Sequence, residues 1–169
     1  MTSAHVEGLG WVAIRPVDVD HPRPASPSEY EDWGEIAPEA AGLPLERWLI
    51  ELTVPDGSAV VVGDLSAHPI WYGPSPGSRA LNIGISLTEQ YRGRGIGTLA
   101  QGLLAHELHE RGVVRVEAST DVDNIAEQHA LERAGFTCEG TLRSAQARSD
   151  GRHDLQVWSH LGRPGDGER

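Results

Sequence analysis

The residues best suited to chemistry lie in one short run, Arg92-Gly93-Arg94-Gly95-Ile96-Gly97-Thr98. Alternating glycines allow a tight turn and leave backbone N–H groups uncovered. A helix starting here adds unpaired N–H donors and the positive end of its dipole. Arg92 and Arg94 bring two full positive charges. Such a stretch is built to hold a polyanion, most simply a pyrophosphate. Two familiar phosphate cradles are excluded. A dinucleotide fingerprint needs Gly-x-Gly-x-x-Gly, whereas these glycines fall at 93, 95 and 97. A P-loop needs Gly-Lys-Ser/Thr, and all 14 basic residues of this chain are arginine.

Other reactive side chains carry weaker signals. Cys138, the only cysteine, follows Gly135-Phe136 on an extended segment and reads as a buried, inert thiol. His106 and His109 are one helical turn apart, but without the His-Glu-x-x-His pattern they read as a solvated face, and no metal site is expected. His153 and Asp154 follow a turn, where they either reach an acceptor pocket or hold a hairpin.

The elements that must position the loop can be read from periodicity. Leu81 to Leu87 alternates like a strand, and Ile96, Leu99, Leu103, Leu104 and Leu108 repeat like one helix face. The order is therefore strand, glycine-rich turn, helix, the helix ending near Arg111 and Gly112. Val113 to Ser119 is the next strand. Asp123 or Asn124 then caps a helix that runs to about Ala134 and closes at Gly135. Phe136 to Arg148 and His153 to Leu161 form a hairpin around Ser149-Asp150-Gly151. Earlier strands are Trp11–Val17, Trp48–Val54 and Ala59–Leu65. Between the first two lies a proline-rich loop from Asp18, a short helix from Ser28 through Trp33, and a second helical piece over Glu39–Glu46.

The length, 169 residues, suits one domain with a full core. A net charge of −11 argues against a broad nucleic-acid surface but favours a cationic acceptor. No apolar run is long enough to cross a bilayer, and no charged-then-apolar leader begins the chain. One cysteine permits a reducing compartment, so a cytoplasmic location is expected.

The run from Arg92 to Gly97 matches Arg/Gln-x-x-Gly-x-Gly/Ala, and so resembles the acyl-CoA loop of the GCN5-related N-acetyltransferases (GNAT). Asn124 to Phe136 resembles the family's second signature, an asparagine-led helix ending in Gly-Phe. Glu139 to Arg148, followed by Gly151-Arg152-His153-Asp154, looks like the Rim-type branch that acts on ribosomal-protein N-termini.

The resemblance implies an α/β fold: a mixed, mostly antiparallel twisted sheet, splayed at its centre after Leu87 and flanked by helices. It implies a single domain over 1–169. Residues 1–78 would serve the acceptor, 79–161 would bind acyl-CoA, and 162–169 would form a flexible tail. Acetyl-CoA would lie along Ile85, Ser86 and Leu87, with its pyrophosphate on Arg92, Gly93, Arg94, Gly95, Ile96, Gly97 and Thr98. Asn124 would hold the pantetheine amide or thioester region. An amine would attack the thioester directly, with a backbone N–H near Ile85 or Ser86 stabilising the charge on oxygen. Glu127 stands where relatives carry a serine that protonates the thiolate, and Gln146 where some carry a carboxylate base. Glu127 is thus a catalytic candidate or a plain surface residue, and Gln146 a departure from the pattern. Trp33, Trp71 and Arg148 are the candidate acceptor-side residues. The expected acceptor is a peptide N-terminus or a small-molecule amine, with a homodimer expected as the assembly. The rival reading, prompted by Gln146, is a non-catalytic acyl-CoA-binding module.

Overall fold

The computed structural model describes residues 3–34, 36–37 and 44–162. One mixed sheet of eight strands organises the described residues, in the spatial order β1-β2-β3-β4-β5-β6-β8-β7. The strands are β1 (Ser3–Val6), β2 (Gly10–Val17), β3 (Glu46–Thr53), β4 (Ala59–Trp71), β5 (Arg79–Leu87), β6 (Arg115–Asp121), β7 (Thr137–Arg148) and β8 (Gly151–Leu161). Every neighbouring pair is antiparallel except β5 and β6, which run parallel. Helix α1 (Ile96–Glu110) makes that parallel crossover, and α2 (Ile125–Arg133) follows β6.

Both helices form where the sequence pattern places them. Ile96, Ala100, Leu103, Leu104 and Leu108 of α1 are buried at three- and four-residue spacing. Each fully buried leucine contributes roughly 1.5–3 kcal/mol relative to exposure. Both helices stop in the same way. Gly112 and Val113 return N–H bonds to His109 and Leu108, and Gly135 and Phe136 do so to Glu132 and Leu131. These are Schellman closures, each with a glycine at positive φ.

The sheet has two unlike faces. Val12, Ile14, Trp48, Ile50, Leu65, Leu81, Ile83, Val116 and Trp158 share the main core with α1. The strand register puts Arg47, Asp64, Ser86, Glu117, Asp121 and Ser159 on the other face, where all six are nonetheless buried. This second face carries the polar chemistry.

Several sequence expectations need correction. β4 runs to Trp71, not Leu65, through Pro69. β3 stops opposite Ala67, so Pro69 has a strand on one side only, where a missing N–H is tolerated. β1 was not foreseen; its four residues, half of them exposed, carry no apolar signal. The Ser28-capped helix is only a 3-10 turn over Glu29–Glu31. Of the piece expected over Glu39–Glu46, residues 39–43 lie outside the described residues and Glu46 opens β3. Residues 163–169 of the expected flexible tail also lie outside them, while Gly162 is fastened to Val114 by an N–H···O bond of 2.8 Å.

Candidate functional site

β5 and β6 pair only through Leu81–Ile83 and Val116–Ala118. Beyond that point β5 continues beside β4 as far as Leu87, while β6 continues beside β8 as far as Asp121. The splay therefore opens after Ile83, four residues before Leu87, and exposes one edge of Gly84–Leu87. A bulge in β4 helps to shape it: Val62 is extra relative to β3, and its carbonyl accepts both the N–H and the Oγ1 of Thr88 at 3.0 Å.

Strand alternation identifies the groups on that free edge. A methyl on Gly63 would lie 2.2 Å from the Ser86 carbonyl oxygen, so Ser86 turns its backbone groups toward β4. Those of Ile85 and Leu87 then face the splay. Of the two oxyanion donors expected from the sequence, the Ile85 N–H faces the splay and the Ser86 N–H does not. The Leu87 carbonyl is already taken, by Ser26 Oγ at 2.6 Å and Arg92 Nε at 2.9 Å.

The glycine loop follows after a 3-10 turn over Glu89–Tyr91. Gly93 and Gly95 have φ of 69° and 80°, values that L side chains resist, and Gly95 caps α1. Among the described residues, no N–H from Gly93 to Thr98 donates to a backbone carbonyl; Leu99 is the first, to Gly95. Nothing lies within 4 Å of a Cβ placed on Gly93 or Gly95, so the space above the loop is open. Gly97 lets the helix ride close on β5, since its Cβ would meet Leu87 Cδ1 at 3.4 Å and Ile85 Cδ1 at 3.6 Å. The loop is an anion cradle made of backbone. Arg94 is exposed beside it. Arg92 is not aimed at it: its guanidinium turns back to Leu87, Ser26 and Pro27.

Across the splay, Asp121 ends β6 with its side chain 2% exposed. Its Oδ2 meets Arg148 Nη2 at 2.8 Å and His153 Nδ1 at 2.8 Å, and its Oδ1 accepts the Asp123 N–H. His153 Nε2 meets Asp150 at 2.8 Å. That contact leads the causes that raise the His153 pKa, with burial and Arg148 opposing it. Gln146 sits in the same group, opposite His153 in register. Its Oε1 accepts from both Nε and Nη2 of Arg148, at 2.9 and 2.7 Å.

Residues 18–34 form a strap that crosses from one rim to the other. Its start is pinned by Asp64, which binds Arg23 at 3.0 Å and Arg47 at 2.9 Å; Arg47 also donates to Val19 O. Its middle is joined to the end of β5 and the glycine loop through Ser26 and Pro27. Its far end reaches the opposite rim: Tyr30 lies 5.4 Å from the Arg148 guanidinium, and Asp32 binds the Ser149 N–H and hydroxyl. Glu31 is exposed on the strap, but neighbouring atoms desolvate its carboxyl enough to raise the pKa, with Arg23 opposing.

α2 begins between the rims. Asn124 caps it, with Oδ1 accepting the Glu127 N–H at 3.3 Å. Glu127 lies in its first turn, where burial pushes the carboxyl up to about 7 against the opposing Gln101 amide. Gln101 is 1% exposed, and its Nε2 makes no hydrogen bond within the described residues. Glu127 is therefore not a plain surface residue.

The structure thus brings Ile85, Leu87 and the glycine loop to the splay, sets Asn124 at the start of α2 with Glu127 in its first turn near Gln101 of α1, and puts Gln146, Arg148 and Trp33 on or beside the far rim and strap. Trp71 does not belong with them. It pairs with Arg79, eight residue steps along β5 from Leu87, or about 26 Å away. Cys138 is exposed on edge strand β7, not buried. His109 is buried, not solvated, and shares its Nε2 with His160 Nδ1 at 2.8 Å. Sequence reasoning missed Ser26, Tyr30, Asp64, Gln101 and Asp121. Asp121 sits among Thr120, Val122 and Asp123 and reads as loop. A polar residue on the buried face of α1 was the one available signal, for Gln101. Among the described residues no group of three or more metal-binding side chains is gathered, and no helix is long and apolar enough to cross a membrane.

A family model described as "Acetyltransferase (GNAT) domain" matches residues 1–137. No curated protein sequence gives a match. RimL, a ribosomal L7/L12 alpha-N-protein acetyltransferase solved with coenzyme A, is 25% identical with a TM-score of 0.59, over 77% of this chain and 67% of its own. The Salmonella typhimurium acetyl transferase that modifies the N-terminal serine of ribosomal protein L7/L12 is 25% identical with a TM-score of 0.55, over 73% of this chain and 66% of its own. The chain thus spans about two thirds of these two proteins. Mycobacterium smegmatis RimJ, solved with CoA-disulfide, has the same fold: TM-score 0.66 and 21% identity, over 95% of this chain and 86% of its own.

Proposed function

The chain belongs to the acetyltransferase (GNAT) family, and we propose that the amine it acetylates is the α-amine of a peptide N-terminus. The donor is acetyl-CoA. The chain's own residues fit it: unpaired N–H groups from Gly93 to Thr98 suit a pyrophosphate, and the open edge at Ile85 and Leu87 suits pantetheine amides. When bound, acetyl-CoA supplies a thioester whose C–S bond is exchanged for a C–N bond to the amine.

The chain's part is to orient, to polarise and to move one proton. The Ile85 N–H faces the splay and donates to the oxygen that gains charge, an effect worth about 3 kcal/mol for one such donor. Glu127 accepts the amine proton through water on a carboxylate oxygen and returns it toward the departing thiolate. Asn124 fixes Glu127 by capping its helix turn. The strap and the Asp121–Arg148–His153 group hold the acceptor's side of the splay.

The carrying observation is Glu127 with its carboxyl near 7, while the Gln146 amide oxygen is occupied by Arg148. A base of that strength suits an α-amine, which titrates near 8, a mismatch of about 1.4 kcal/mol. An ordinary lysine at about 10.4 would cost about 4.6 kcal/mol. Cationic acceptors are also drawn to a chain of net charge −11, most strongly at low salt. The support from relatives is that RimL and the Salmonella enzyme act on a ribosomal-protein N-terminus. The test is competition between two peptides, one with a free N-terminus and blocked lysine, the other the reverse. Acetylation of the first is expected to dominate; preference for the lysine peptide would refute the reading.

A further inference from the structure

We infer that Arg92 is a positioning residue that fastens the acceptor strap to the donor strand, and is not a ligand for the pyrophosphate. This rests on the acetyl-CoA reading of the glycine loop. By position alone Arg92 and Arg94 look alike: both flank Gly93 in the cradle. Their surroundings differ. Arg94 is exposed, and its guanidinium enters none of the hydrogen bonds or ion pairs among the described residues. Arg92 spends its donors elsewhere. Its Nε donates to Leu87 O at 2.9 Å, and its Nη2 donates to Ser26 Oγ at 3.0 Å and to Pro27 O at 2.8 Å. Ser26 Oγ in turn donates to Leu87 O at 2.6 Å.

Two consequences follow from this closed triangle. First, Leu87 O receives two donors, which fills both of its lone-pair directions. The free edge of β5 is then limited to the N–H and C=O of Ile85 and the N–H of Leu87. That limit fixes where an added strand-like chain can pair, and so where its reacting end stops. Second, the same guanidinium sets the strap's distance from β5, through Ser26 and Pro27. The strap carries Tyr30 and Asp32 onto the opposite rim. One planar fork therefore ties the pantetheine track to the acceptor cover. A lysine offers a point charge without that fork.

The test measures binding to the cofactor-free protein by calorimetry, using coenzyme A and pantetheine. Pantetheine lacks the nucleotide and its pyrophosphate, and is read by displacement against coenzyme A. Arg94→Ala is expected to weaken coenzyme A about 10-fold and leave pantetheine unchanged. Arg92→Ala is expected to weaken both by the same factor and to raise the KM for an acceptor peptide. Arg92→Lys, which keeps the charge, is expected to behave like Arg92→Ala. Hydrogen exchange at amides 28–33 is expected to quicken in both Arg92 variants and in Ser26→Ala, but not in Arg94→Ala. Recovery of coenzyme A affinity in Arg92→Lys, or unchanged pantetheine affinity in Arg92→Ala, would overturn the inference and make Arg92 a phosphate ligand. If Arg94→Ala fails to separate coenzyme A from pantetheine, the pyrophosphate reading of the loop falls instead.

Discussion

On the donor rim, from Ile85 to Thr98, the groups turned toward the splay are backbone N–H and C=O. On the acceptor rim they are side chains: Asp121, Arg148, His153 and Gln146, roofed by Tyr30 and Asp32 of the strap. The first kind of site is made by one continuous segment whose shape is set by glycine. The second is assembled from three segments of the chain: the strap, the end of β6 and the β7–β8 hairpin. A backbone cradle tolerates varied side chains and recognises a shared, invariant feature such as a pyrophosphate. A network of ionised side chains is specific and costly to disturb, because removing one partner leaves a buried charge uncompensated. The proposed donor side thus depends on backbone shape set by a few glycines, so a substitution matters there only where it alters that shape or fills the cradle. The proposed acceptor side depends on named side chains, each of which matters through its partners.

Gly95→Glu should break the donor rim with the largest effect. The φ of 80° disfavours any side chain, and the added carboxylate would project into the open space above the cradle. Acetyl-CoA affinity is expected to fall by at least about 100-fold, or roughly 2.7 kcal/mol, with the fold retained. Unchanged affinity by calorimetry would mean that the anion sits elsewhere. Glu127→Gln comes next. It should lower the rate by about 100-fold and leave acetyl-CoA affinity unchanged. In the native enzyme the rate is expected to rise with pH through a limb near 7 as the carboxyl ionises. In the variant that limb should vanish and leave only the limb of the amine itself, near 8. A limb near 7 that survives in Glu127→Gln would assign the proton to another group.

The same contrast explains what could be read from the chain. The strand–loop–helix order from Leu81 to Leu108, the cap at Asn124 and the stops at Gly112 and Gly135 are local features, and periodicity and glycine placement report them directly. Asp121 gives no such signal. Its meaning depends on Arg148 and His153, brought beside it by the β6–β8–β7 pairing. Likewise Arg92 reads as a phosphate ligand until Ser26 and Pro27 arrive from 65 or more residues earlier. Trp71 misled because an aromatic pair suggests a pocket, whereas β4 carries it to the far end of the sheet. The burial that lifts the Glu127 carboxyl comes from packing of α2 beside α1, which no motif encodes.

The smallest effect should come from His153, and it sharpens the comparison because only the acceptor rim should feel it. Both ring nitrogens face carboxylates, Asp121 at Nδ1 and Asp150 at Nε2, each at 2.8 Å. Two carboxylate partners favour a proton on each nitrogen, so the imidazolium form is stabilised and the pKa raised, first by the bond to Asp150. The charged group that opposes this is Arg148, which shares Asp121. A folded-state pKa above the unfolded value near 6.5 stabilises the fold fully below that value. The contribution disappears as pH rises through the folded pKa. Over that window the 149–151 turn should loosen, and with it the strap residues Tyr30–Trp33 that Ser149 and Arg148 hold. Hydrogen exchange there, corrected for the intrinsic pH dependence of the reaction, is expected to quicken across the window. Exchange in the glycine loop should not change. An NMR titration should place the His153 pKa above 6.5, and His153→Gln should abolish the pH dependence at the turn. A depressed His153 pKa, or equal loosening of both rims, would show that the acceptor rim is not held by this ion network.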